Sequence, residues 1–175
     1  MDNRTFNMIG RFTNTFIVIF NINVPADLNR LIEELGGTVL QADVKEAVSM
    51  KTGEHSFTIE IDYRLNSVEQ RFYVARELGN LLLNHGYMIM QEDWDSLCDN
   101  EILDHKRLDI ANEFAVGVLL PMDAFKEELS RNTDLEGNID MGTVARKFDV
   151  TEALATERAR KAGLAEYSLL IPKDF

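Results

Sequence analysis

Between residues 57 and 63 the chain reads FTIEIDY, with Phe57, Ile59, Ile61 and Tyr63 alternating against Thr58, Glu60 and Asp62. A period of two predicts a half-buried strand. Further along, Phe72, Ala75, Gly79 and Leu82–Leu83 recur at helical spacing and predict one buried stripe on a helix running through 71–84. Ser67-Val68-Glu69-Gln70 has the spacing of a capping box, so that helix is expected to start there. A second apolar helix is predicted at about 107–120, stopped by Pro121, and PMDAFKEELSR reads as a short amphipathic helix. DLEGNID reads as a loop, and two short helices, at about 140–148 and 151–162, close the chain. Upstream, residues 1–15 are polar and weakly patterned, whereas Phe16–Phe20 is β-branched and aromatic and predicts an extra strand at about 16–22. Pro25 and Asp27 start a helix carrying Leu28, Leu31, Ile32 and Leu35 on one face, and Gly36-Gly37 stops it. TVLQADV then reads as a strand, 45–56 as a loop or irregular edge, and 91–106 as an acidic surface loop.

Composition narrows the function classes. The chain has 175 residues, of which 45% are hydrophobic and 27% charged, enough to bury a core without disulfides or a structural metal. A net charge of −12 argues against a broad nucleic-acid surface, because phosphate binding needs clustered Lys and Arg. Cys98 is the only cysteine, which excludes an intramolecular disulfide and Cys-rich zinc sites. The longest apolar run, FIVIF, is too short to span a bilayer, and the N-terminus lacks signal-peptide character, so the expected location is the cytoplasm.

The stretch RFYVARELGNLLLN at 71–84 carries the chemistry worth testing. A zinc-peptidase helix reads H-E-x-x-H: residues four apart share a face and present two imidazoles to one ion. The Glu after the first His takes a proton from the metal-bound water. Here the same five positions read Arg76-Glu77-Leu78-Gly79-Asn80. Arg keeps its proton and has no lone pair to offer, and Asn offers only a weak amide oxygen. Only Glu77 remains, as a vestigial general base. His85 and His105 are the histidines that a relocated site would have to recruit, without spacing to support it. Arg76 is expected to find a carboxylate, Glu77 or Asp109, or a carbonyl in the vacated position.

Several ordered motifs make the chain resemble the ImmA/IrrE-type (DUF955) zincin-like metallopeptidases. RFYVARELGNLLLN matches the family's RF-x-x-A-H-E-L-G-H-L-L-L-H, and LDIANEFAVGVLLP at 108–121 matches E-x-x-A-N-x-F-A-x-x-L-L-M-P. VPADLNRLIEELGGTV upstream and VARKFDVTEALATERARKAGL downstream resemble its flanking elements, so the likeness covers roughly 24–165. The departures gather at the metal: Arg76 and Asn80 replace both histidines, and Leu108 stands at the third ligand, a Glu in the family. The expected strand at 16–22 is a further departure, since the family leads in with a helix.

The resemblance implies an α+β, zincin-like fold: a small, mostly antiparallel twisted sheet on a central helix pair, with a helical C-terminal extension. Residues 1–130 are expected to form a degenerate peptidase domain and 131–175 a helix-turn-helix-like extension. The function it implies is a catalytically inactive, metal-free protein that binds another protein. The expected partner is a helix-turn-helix repressor of a phage or mobile element, with the chain acting as antirepressor or decoy. One alternative is an active zinc endopeptidase built from Glu77, His85 and His105. Another is DNA binding through the C-terminal cations Arg146, Lys147, Arg158, Arg160 and Lys161, which are also the candidate partner-binding residues.

Overall fold

The computed structural model describes residues 3–84 and 107–164. Helix α1 spans Asn3–Ile19 and α2 Leu28–Glu34; strands β1, β2 and β3 span Gly37–Ala42, Val48–Gly53 and Ser56–Asp62. Helix α3 spans Ser67–Gly79 and passes into a π turn, Asn80–Asn84. Then come α4 (Arg107–Leu119), α5 (Met122–Arg131), α6 (Met141–Phe148) and α7 (Glu152–Lys161).

The sheet order is β1-β3-β2. Strand β3 is the central one because its alternation is complete: Phe57, Ile59 and Ile61 are all buried. Tyr63, expected in the same row, falls one residue past the strand and is exposed. Strand β1 runs parallel to β3 and β2 antiparallel to it, so the sheet is mixed, where the resemblance implied a mostly antiparallel one. Strand β2 lies in the segment read as a loop or irregular edge. Its apolar residues Val48 and Met50 face outward while Ser49 faces the body, an inverted pattern that hides a strand from a hydrophobicity reading.

Helix α3 packs between the sheet and α4, and α4 packs between α3 and α1. The approach is close. A Cβ added to Gly79 would lie 2.7 Å from Phe114 Cδ1, and one added to Gly117 would lie 2.7 Å from Thr13 Cγ2. The capping box of α3 is Asn66 with Glu69, one residue before the expected pair: Asn66 Oδ1 accepts from Glu69 N (3.0 Å) and Glu69 Oε2 from Asn66 N (3.1 Å). Gln70, freed from that role, donates to the Leu65 carbonyl at 2.9 Å.

The expected strand at 16–22 is not formed. Its first residues belong to α1, whose buried positions Thr5, Ile9, Thr13 and Phe16 follow the helical period while Val18 and Ile19 stay exposed. Phe12, Phe16 and Phe20 stack along the helix, and Phe16 meets Phe114 edge-on at 5.2 Å. Local β-propensity has yielded to a tertiary contact. Asn21, at φ 45°, ends the helix: Ile22 N donates to Ile17 O and Asn21 N to Val18 O, and Arg30 Nη2 covers the Phe20 and Asn21 carbonyls.

The C-terminal helices share the core with the rest. Phe125 and Phe148 pack edge-to-face at 5.8 Å. Arg71 of α3 donates to the Ala26 carbonyl (2.8 Å) and the Asp149 carbonyl (3.0 Å), tying α3 to the α6–α7 turn. No described helix is long and apolar enough to cross a membrane.

Candidate functional site

The site grows from one turn of α3. Glu77 is charged, yet only 5% exposed, so its two oxygens must be satisfied from within. Arg76, its sequence neighbour, reaches back with Nε at 3.1 Å and Nη2 at 3.0 Å, both on Oε1. Adjacent residues on a helix do not ordinarily face each other. Here the guanidinium is held over the Tyr73 ring, 4.7 Å from its centroid, one turn earlier on the same helix. The second oxygen, Oε2, accepts from Ser49 Oγ at 3.0 Å and from Asn80 Nδ2 at 3.4 Å.

Asn80 stands at the entry to the π turn, and its Nδ2 also lies 3.5 Å from Ser49 Oγ. Strand β2 supplies Ser49 because its pairing with β3 sets Ser49 opposite the fully buried Ile59, turning the hydroxyl inward. Arg76, Glu77, Asn80 and Ser49 therefore form one hydrogen-bonded group at the interface of helix and sheet.

In front of this group lies an open groove of about 360 Å³, lined among others by Tyr73, Arg76, Leu65 and Leu108. Leu108, at the first turn of α4, is 57% exposed. Of the three positions at which the resemblance expects metal ligands, Arg76 and Leu108 line the groove, whereas Asn80 lies on the Glu77 carboxylate. As a donor set they do not fit zinc. Arg76 brings a cation, Leu108 no donor atom and Asn80 an amide. No group of three or more His, Cys, Asp or Glu side chains that could hold a metal occurs among the described residues. His85 and His105 lie outside the described residues, as do Cys98 and the acidic segment 91–106.

The C-terminal cations differ in their partners and exposure. Lys161 Nζ pairs with Glu113 of α4 at 3.0 Å, and Arg160 pairs with Glu157 at 2.7 Å. Arg146 Nη2 donates to Thr143 Oγ1 at 2.6 Å, beside the Asp140 cap. Arg158 is partly buried, and burial pushes its pKa down while the Glu113 charge opposes that. Lys147 is exposed.

Ser49, a member of the Glu77 group, and Tyr73, the ring under its guanidinium, stand at no fixed motif position. Ser49 sits in a segment without strand patterning, and Tyr73 is one of two adjacent aromatics on its helix, beside Phe72. The signal that points to both is Glu77 itself, since a buried carboxylate beside Arg76 requires partners for its second oxygen and a wall for the guanidinium.

A search of curated proteins finds no match. Among solved structures, the fold is similar to one described as a Mycobacterium tuberculosis transcriptional regulator, with a TM-score of 0.58 and 18% sequence identity. That likeness covers 86% of this chain but 45% of the regulator, so the chain spans less than half of its length. The model of the IrrE N-terminal-like domain, Peptidase_M78, matches residues 32–160. With motifs, helix pair and sheet in place across that span, the chain belongs to the IrrE N-terminal-like (ImmA/IrrE) family.

Proposed function

We propose that this protein acts by binding another protein rather than by cleaving it, as a metal-free member of its family. The observation that carries the reading is the state of Glu77. The carboxylate at the general-base position has one oxygen held by Arg76 and the other by Ser49 and Asn80. Two of these partners, Arg76 and Asn80, are the very substitutions that remove the histidines. A base so engaged has no free lone pair in line with a water, and among the described residues no metal-ligating cluster stands beside it to activate one.

The partner we propose is a helix-turn-helix repressor of a phage or mobile element, encountered in the cytoplasm, with the protein as antirepressor or decoy. Support comes from the family membership and from the net charge of −12, which complements a basic DNA-binding face. The groove at Arg76 and Leu108 remains open as a place for a partner segment. The fold's likeness to a transcriptional regulator is in keeping with a regulatory setting.

The test combines the purified protein with helix-turn-helix repressors of its host and follows operator binding by gel shift, with the repressor's mass read in parallel. Release of the operator with the repressor intact, unaffected by chelator and retained in Glu77→Gln, is the expected result. Repressor fragments that disappear with chelator would instead establish an active metallopeptidase with ligands recruited elsewhere.

A further inference from the structure

A second cavity, remote from Glu77, lies where α1, α4 and α7 meet. It measures about 150 Å³ and is lined by Phe6, Ile9 and Thr13 of α1, Glu113 of α4, Met122, and Arg158 of α7, among others. Its α1 wall precedes the segment that matches the family model, so this cavity is not assembled from the family's motifs alone.

Two of its lining residues carry an orphan polar atom. Thr13 Oγ1 and Arg158 Nε are both buried and have no hydrogen-bond partner among the described residues. Thr13 is only 2% exposed, and its methyl is pressed against α4 at Gly117, where no side chain intervenes. A threonine in a helix ordinarily satisfies its hydroxyl on the carbonyl one turn back. Leaving such a donor unpaired is costly, and an unpaired N–H on a cationic group costs more.

The charges are unbalanced as well. Glu113 is the acidic member of the lining, and its Oε1 is already taken by Lys161 at 3.0 Å. Lys161 and Glu113 cancel, which leaves Arg158 as a net positive charge on the wall of a cavity in a strongly acidic protein. The planar fork of a guanidinium fits a carboxylate, and the Thr13 hydroxyl adds a donor. Phe6, Ile9 and Met122 supply an apolar remainder, with Phe6, 44% exposed, at the opening. A cavity of this size accepts a body on the scale of benzene and no more.

We propose that this cavity binds a small monocarboxylate with a short apolar stem, its carboxylate on Arg158 and Thr13 and its stem against Ile9 and Met122. Binding joins α1 to α7 across α4.

Butyrate is the probe, with butanol (the same stem without charge) and chloride (charge without a stem) as controls at equal ionic strength, each up to about 50 mM. Thermal unfolding of the full chain is expected to show a saturable rise with butyrate, about 3–5 °C per tenfold concentration beyond half-saturation. Arg158→Met is expected to abolish the response and, having lost a desolvated cation, to unfold at a higher temperature without ligand. Thr13→Val, which keeps the shape, is expected to weaken the response and carries the test if Arg158→Met fails to fold. The proposal is overturned by no shift with butyrate, by an equal shift with butanol or chloride, or by an undiminished response in the variants.

Discussion

Arg76 Nη2 lies 3.0 Å from Glu77 Oε1, a salt bridge between chain neighbours that are 15% and 7% exposed at their side chains. On the reading proposed above, the pair stands where the family's first histidine and general base would be. A cation supplied by the chain itself now neutralises a carboxylate that would otherwise be buried with only two neutral donors.

Arg76→Ala should therefore destabilise the fold. Breaking a buried ion pair costs about 3–5 kcal/mol; the open groove admits water and lowers this to about 2 kcal/mol. Urea unfolding measures it. A loss within experimental error would mean that Glu77 is solvated from the groove and that the ion pair is not structural.

The proposal that Arg76, Asn80 and Leu108 hold the former ligand positions predicts that the site can be rebuilt. The combination Arg76→His, Asn80→His and Leu108→Glu should bind about one zinc per chain, as a three-ligand site with an open position does. Metal content after gel filtration reads it directly. If no zinc is retained, the π turn after Asn80 or the exposed start of α4 has moved the positions apart.

At Gly79 the helix pair leaves no space for a methyl, since its nearest carbon would be Phe114 Cδ1 at 2.7 Å. Gly79→Ala should cost about 1–3 kcal/mol through overpacking, despite the better helix propensity of Ala. For a chain of this length each kcal/mol lowers the melting temperature by about 2–4 °C. A raised melting temperature would show that α3 and α4 can separate freely.

Asp140 caps α6, and its carboxyl is held below the usual 3.8, first by the Thr143 hydroxyl and then by the Thr143 backbone N–H. A depressed folded-state pKa stabilises above the unfolded value, and the effect is lost as pH falls through the folded one. The C-terminal helices should thus loosen as pH drops below about 3.8. Asp140→Asn retains a cap acceptor without the titration, so the acid-side slope of its thermal unfolding should be flatter than that of the parent chain. Identical slopes would exclude Asp140 as the source.

On α1, Phe16→Ala should cost about 3 kcal/mol or more, whereas Val18→Lys and Ile19→Lys should change stability by no more than about 0.5 kcal/mol. The contrast separates a helix from a strand, because a buried strand would be damaged by charge at position 18 or 19. Guanidinium unfolding of the three variants decides it.

Much of the fold is legible in the residues because the relevant signals are local. Helices α2 to α7 lie close to where periodicity and stop signals place them, since caps such as Asp27 and Thr151 and breakers such as Gly36 act within one turn. Strand β3 announces itself through alternation. Strand β2 does not, because it turns Ser49 inward and Val48 and Met50 outward. Helix α1 was obscured for a different reason. Five β-prone residues at 16–20 mask a helical stripe that extends back to Thr5, and only contact with Phe114 shows which periodicity prevails.

The same division runs through the site. The order of residues, through the family resemblance, puts Arg76, Asn80 and Leu108 at the expected ligand positions, and helix spacing by itself relates only Arg76 and Asn80. The chain left Glu77, Asp109 and a carbonyl as partners for Arg76, and could not disclose that Ser49 arrives from another element to take the second oxygen of Glu77. Nor could it show that Arg158, read as part of a basic surface, lines a cavity beside α1. Such outcomes depend on which surfaces are removed from water together, and that is decided only when helix and sheet close over the same charge.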